Sequence, residues 1–246
     1  MEFYRSLLPA RESEIYETIL NGLRTQAEVI SIPLTPSAGV NRMIGSVLAD
    51  HPELPWASGR WRGKPDFTDM ILPCYTMTKE ECAAFRQSLN EWKAFTNRFL
   101  PLPEIRQIRM LYDEMLATVT YDPAALHSQN AFGALTEKRA LCRGIAKGFQ
   151  LLMEACGIPA ICVEGTLDGE SLHVWNIVRT ESGNYHVDIS MGYPQFDFLY
   201  TEKGLRYNKY SAFCVSDETL RKTHRWDPEA VPLSCSSDAP SPEQEV

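Results

Sequence analysis

RALCRGIAKGFQLLMEACG, residues 139–157, is the stretch from which the rest of the chain is read. Ile145, Phe149, Leu152, Met153 and Cys156 recur at helical spacing, and Gly157 stands where a helix stops. The spacing predicts a helix with Cys142 in its first turn. Unpaired main-chain N–H groups and the positive end of the helix dipole favour an anion there. Only the thiolate of cysteine is a strong nucleophile, so this is a place where a thiol becomes reactive.

Two short strands are expected after Ile158-Pro159. HVWNIV (173–178) and YHVDI (185–189) flank the polar stretch 179–184, which reads as a hairpin loop. If His173 and Asp188 stand directly opposite, the hairpin centre falls between Thr180 and Glu181. A tighter turn at Ser182-Gly183 would set Ile177 against Asp188, so the reading requires a hairpin wider than minimal. Facing residues on antiparallel strands have Cβ atoms about 4.5–5.5 Å apart, close enough for a carboxylate to hold one imidazole nitrogen while the other faces a thiol. Cys142, His173 and Asp188 are thus the candidate nucleophile, base and orienting acid.

Taken singly, these residues say little. A cysteine on an apolar helix is usually packing, a strand histidine is usually core or surface, and an aspartate at a strand end is usually a cap. Their combination and order carry the signal, with Gly144 and Gly148 permitting close approach of backbone to the helix.

The block HSQNAFGALTEKRALCRGIAKGFQLLMEACGIP (127–159), followed by VEGTL, HVWNIV and YHVDIS, resembles the core of the transglutaminase-like superfamily. The resemblance extends more loosely to Tyr121–Pro123, to SDETLRKTH (216–224) and to the opening FYRSLL, as in bacterial members. It implies an α+β, papain-like fold in which the helix bearing Cys142 packs on an antiparallel sheet bearing His173 and Asp188. It also implies acyl chemistry on a peptide or protein amide through a thioester, as hydrolase or acyltransferase. Cys142 would be the nucleophile, His173 the general base and acid, and Asp188 the orienting carboxylate. The main-chain N–H of Cys142 is one donor to the developing oxyanion. Gln129, Asn130 and Trp175 are candidates for a second. Ile145 and Ser190-Met191 depart from the aromatic residue and the Thr-Trp pair common in the family, which predicts an altered pocket wall. The alternatives are a silent domain used for binding or assembly, favoured by a closed site, and a redox-responsive thiol with Cys156 or Cys162 near it, both expected to be buried.

Seven cysteines without a Cys-x-x-Cys pair or zinc-type histidine spacing predict free thiols, no metal and no cofactor. They suit a reducing compartment, and the cytoplasm is the expected location. A net charge of −8 argues against a nucleic-acid partner. No apolar run approaches membrane-spanning length. A peptide or protein substrate is the expected partner, and the sequence is silent on oligomeric state.

Residues 1–100 are expected to form a mixed lobe, 101–226 the catalytic core and 227–246 a disordered tail rich in Pro, Ser and acidic residues. Within the lobe, helices are predicted over 12–25 and 40–48, strands over 29–34 and 69–75, and an irregular stretch over 51–66. Thr78 and Glu81 form a capping-box pattern ahead of a long helix with Phe85, Trp92, Phe95 and Phe99 on a core stripe. Pro101-Leu102-Pro103 breaks it, and Ile105, Ile108, Leu111, Tyr112 and Met115 mark a second helix.

Overall fold

The computed structural model describes residues 2–239. The chain divides into two compact units, Met1–Ala84 and Phe85–Val246. In the first, helices α1 (Phe3–Ser6), α2 (Ala10–Arg24) and α3 (Ser37–Asp50) accompany a three-stranded antiparallel sheet of β1 (Ile30–Pro36), β2 (Ala57–Arg62) and β3 (Phe67–Tyr75), in the order β1-β3-β2. Ile15, Ile19 and Leu23 on one face of α2 meet Val40, Ile44 and Val47 on one face of α3, the burial that makes two amphipathic helices stable together. Asp50, buried at the end of α3, accepts the main-chain N–H groups of Tyr4 and Arg5 at 2.9 Å each and the Tyr16 hydroxyl at 3.0 Å. A buried carboxylate is thereby satisfied by three donors.

Strand β2 lies where an irregular stretch was expected. Its sequence, ASGRWR, has no apolar alternation and no buried residue. It is an edge strand held by pairing to β3, and pairing leaves no periodic trace in sequence.

Helix α4 (Lys79–Thr96) begins with the expected capping box: Thr78 N–H donates to Glu81 Oε2 at 2.7 Å, and Glu81 N–H donates to Thr78 Oγ1 at 3.1 Å. The division between units falls inside α4 and not near residue 100. Its second half belongs with the second unit, where Phe85, Trp92 and Phe99 are buried and the Trp92 indole N–H donates to the Leu135 carbonyl at 3.1 Å. Helix α5 (Glu104–Thr118) follows the proline break and buries Ile108, Leu111, Tyr112 and Met115.

The second unit then runs through β4 (Thr120–Tyr121), a π-helical turn at Gly133–Glu137, β5 (Arg139–Ala140), α6 (Cys142–Ala155), β6 (Ala160–Leu167), β7 (Ser171–Thr180) and β8 (Gly183–Val187). It ends with α7 (Phe198–Thr201), β9 (Phe213–Val215), α8 (Asp217–Leu220) and β10 (His224–Arg225). Five of these strands form an antiparallel sheet in the order β10-β6-β7-β8-β9, and β4 pairs in parallel with β5. Helix α6 buries Ile145, Phe149, Leu152 and Met153. The buried amide of Asn176 on β7 ties it to the sheet, donating to the Ala146 carbonyl at 3.0 Å and to the Ile161 carbonyl at 3.2 Å. This is an α+β architecture with the Cys142 helix on an antiparallel sheet.

The hairpin register differs from the expected one. Thr180 pairs with Gly183 and Asn176 with Val187, so the turn is the two residues Glu181-Ser182 and Asp188 lies just past the end of β8. His173 and Asp188 are therefore diagonal, not opposite. Of the tail expected to be disordered, 240–246 lies outside the described residues, whereas 227–239 is placed. Asn184 donates to the Ser234 carbonyl at 3.1 Å, Ser216 N–H to Asp238 at 2.6 Å, and Ala239 N–H to the Cys214 carbonyl at 2.8 Å.

Candidate active site

Cys142 is the first residue of α6, with Leu141 extended before it. It is half-buried at the base of a cleft of about 800 Å³, bordered by Tyr121, Gln129, Arg143, Glu164, His173 and Trp226. Gly144 lets the wall come this close. A Cβ there would sit 2.4 Å from the Ser128 carbonyl oxygen and 2.9 Å from that of Asn130, so any side chain would push residues 128–130 off the helix. Gly148 is different, since the nearest atoms a Cβ there would meet are side-chain atoms of Ala134 and Leu135, at 3.2–3.3 Å.

Cys142 shares the cleft wall with His173 and Val174 of β7. His173 Nε2 lies 2.6 Å from Asp188 Oδ2, and both side chains are buried. That leaves Nδ1 as the nitrogen for the thiol. Diagonal strand neighbours are farther apart than facing ones, about 7–8 Å and somewhat less at Cβ, and a long imidazole reaching toward a carboxylate spans this. Burial alone would push the Cys142 thiol up, but the His173 hydrogen bond and charge, with the Val174 N–H, hold it below the ordinary thiol value. Burial would lower His173, yet the charge and hydrogen bond of Asp188 and the contact with Cys142 raise it to about 10. Burial would raise Asp188, but His173 and a second histidine, His224, keep it well below the usual carboxylate range. The three groups together favour a thiolate beside an imidazolium.

His224 carries no local signal as a site residue. Its Nε2 lies 3.0 Å from the same Asp188 Oδ2, although 36 residues separate the two in sequence. Asp188 Oδ1 accepts the Ser190 N–H at 2.8 Å. Gly165 makes the approach of β10 feasible, since a Cβ there would fall 2.2 Å from the Arg225 carbonyl oxygen and 2.7 Å from the Trp175 ring. Tyr121 was likewise noted only within a motif. It lines the cleft beside Cys142, because β4 pairs with β5 and sets Tyr121 against Ala140, two residues before the thiol.

The three candidates for a second oxyanion donor separate clearly. Gln129 borders the cleft. Trp175 does not: its one N–H donates to His186 Nδ1 at 3.0 Å, and its ring stacks behind His173 at 6.1 Å. Strand alternation turns it to the His173 face but two residues deeper into the sheet. Asn130 also lies off the cleft wall, its Oδ1 accepting the N–H groups of Phe132 at 3.1 Å and Gly133 at 3.3 Å. Ile145 and Met191 are fully buried and form core, not pocket wall. Of the two candidate resolving thiols, Cys162 is buried and Cys156 half-buried.

Two clusters of ligand-type side chains occur among the described residues, His173–Asp188–His224 and His186–Asp217–Cys235. In the second, Trp175 donates to His186 Nδ1, so the ring proton is on Nε2, which lies 2.8 Å from Asp217 Oδ1. In the first, both Nε2 atoms face one carboxylate oxygen and carry protons for the same reason. These nitrogens present N–H groups and no lone pair to a cation, so the clusters read as hydrogen-bonded triads.

Residues 93–189 match the model of the Transglutaminase-like superfamily. No curated protein matches the chain. Among solved structures it is similar to a candidate cysteine protease from Cytophaga hutchinsonii, at 19% identity and TM-score 0.36 over 42% of this chain and 37% of that one. It is also similar to a protein called a TGase, at 12% identity and TM-score 0.39 over 68% and 46%. A third is a candidate protease from Parabacteroides distasonis, at 14% identity and TM-score 0.31 over 52% and 32%. The chain spans less than half the length of each of these. Among the described residues no helix is long and apolar enough to cross a membrane.

Proposed function

We propose that the chain carries out cysteine-dependent acyl chemistry on a peptide or protein amide, with Cys142, His173 and Asp188 as its triad. The observation that supports this most is the thiol at the α6 N-terminus in one cleft with His173, whose Nε2 is held by the buried Asp188. In this reading His173 Nδ1 takes the thiol proton, and sulfur attacks the carbonyl carbon while the π pair moves onto oxygen. The Cys142 N–H, with Tyr121 and Gln129 at the cleft wall, borders the place of that oxyanion. Collapse breaks the C–N bond, the amine leaves with the proton from His173, and a thioester remains. Water, or an amine in a transfer reaction, then loses its proton to His173 and attacks the thioester. Thiolate is expelled, and acid or a new amide is released.

The alternative of a silent binding domain was tied to a closed site. Cys142 lines a cleft and is only half-buried, which favours the catalytic reading. All seven cysteines are free thiols, as suits a protein of the cytoplasm. The test is single-turnover acylation with p-nitrophenyl acetate, followed by peptide mapping. An acyl adduct on Cys142 that water or added amine discharges, and that is absent from Cys142→Ser, is the expected result. An adduct on another cysteine, or none, would overturn the reading.

A further inference from the structure

Asp188 Oδ2 is shared. It lies 2.6 Å from His173 Nε2 and 3.0 Å from His224 Nε2, and the two rings stand 5.5 Å apart. A triad needs one of these imidazoles, and the second demands a role. His224 is fully buried, and its Nδ1 lies 2.8 Å from Thr223 Oγ1. With the ring uncharged, its one proton is on Nε2 and donates to the carboxylate, while Nδ1 accepts from the Thr223 hydroxyl, which lies farther, at 3.4 Å, from the Leu220 carbonyl. Burial keeps His224 uncharged, lowering its pKa against the opposing pull of Asp188. His224 is thus a neutral donor aimed at the oxygen that stabilises the His173 imidazolium.

Two donors on one carboxylate oxygen compete. Each takes part of the charge the other would feel, and a neutral donor weakens the attraction without adding a charge. A general base that must later act as acid works best when its proton is neither too loosely nor too firmly held. With a fully buried Asp188 as its only partner, His173 would hold its proton firmly.

We propose that His224 is a positioning residue that shares Asp188 with His173, fixing the carboxylate and moderating its hold on the His173 proton so that the proton can be passed to the leaving group. The inference rests on the acyl-transfer reading of the same triad. The other titratable groups facing these side chains include Cys142 from α6, Tyr121 from β4, Tyr112 from α5, His186 from β8, Tyr200 from α7 and Asp168 after β6.

A structural role and a moderating role predict opposite results. If His224 only fills the core, Phe in its place preserves the site or loosens it, and a loosened site returns the Cys142 thiol toward its free value. If it moderates Asp188, His224→Phe strengthens the imidazolium, so the thiolate–imidazolium pair forms at lower pH and persists to higher pH.

The experiment is the rate of iodoacetamide alkylation at Cys142 as a function of pH, read by mass spectrometry on the full chain. His224→Phe is expected to widen the reactive plateau, with the lower inflection down and the upper inflection up by about one unit each. His224→Gln, which keeps an N–H donor, is expected to restore the wild-type profile. Thr223→Val weakens the same donor and should shift both inflections the same way by less, which keeps the test decisive if His224→Phe does not fold. Unmoved inflections, or inflections that move inward, would overturn the inference. A wild-type profile without a plateau below the free-thiol range would instead overturn the triad reading beneath it.

Discussion

His173 meets Asp188 at 2.6 Å and His186 meets Asp217 at 2.8 Å, and Trp175 touches both imidazoles. The chemical pair is the same, yet the pKa of His173 is raised to about 10 while that of His186 is lowered to about 4. Burial pulls both down. The difference lies in what else each group faces. Asp188 is fully buried and its charge is poorly screened, whereas Asp217 is part-exposed. The second nitrogen of His173 faces a thiol that can become an anion, while that of His186 receives the Trp175 N–H, which an imidazolium would have to give up. A histidine–aspartate contact therefore does not by itself make a base; the partner of the other nitrogen decides.

The most severe way to break this contrast is Asp188→Asn. Without the carboxylate charge, His173 should behave more like His186, and single-turnover acylation should fall by about 10²–10⁴-fold with the fold retained. Acylation within twofold of wild type would remove Asp188 from the mechanism.

A smaller effect separates the two histidines through stability. His186 has its native pKa near 4 against an ordinary 6.5, so between these values the unfolded chain binds a proton that the native chain does not. Its contribution is complete above pH 6.5 and is lost as pH falls toward 4, by at most about 3 kcal/mol. His173 has the reverse sign, with a contribution complete below pH 6.5 that is lost as pH rises through about 10. In urea titrations across pH, His186→Gln should flatten the acid limb and His173→Ala the alkaline limb. Equal acid slopes in wild type and His186→Gln would contradict the assignment.

The smallest expected effect is that of Trp175→Phe on acylation. Loss of an oxyanion donor costs about 10²–10³-fold, but the Trp175 N–H serves His186. Acylation should therefore change by less than about threefold, and a hundredfold loss would return Trp175 to the oxyanion site.

Much of this was legible locally. Apolar spacing placed α6 and set Cys142 in its first turn, and Thr78 with Glu81 announced the start of α4. The order Cys142, His173, Asp188 named the three groups of the proposed triad, of which His173 and Asp188 meet at 2.6 Å and Cys142 lines the same cleft as His173. The hairpin register was not legible, because 179–184 is polar throughout and fits several turn lengths; the chain uses Glu181-Ser182. His224 was hidden for another reason. It reaches the site on a two-residue edge strand whose position depends on Gly165, and neither pairing nor the room left by an absent Cβ shows in periodicity. Trp175 is a candidate donor by its proximity to His173 in the motif, and proximity does not give the partner of its one N–H, which is His186.

The most direct test is the pH dependence of Cys142 alkylation in wild type and in His173→Ala. The account predicts an apparent thiol pKa below the free value of about 8.5 in wild type and its return to or above that value in His173→Ala. A Cys142 that titrates as a free thiol in both proteins, or that is equally reactive in both, would contradict the thiolate–imidazolium pair on which the proposed chemistry depends.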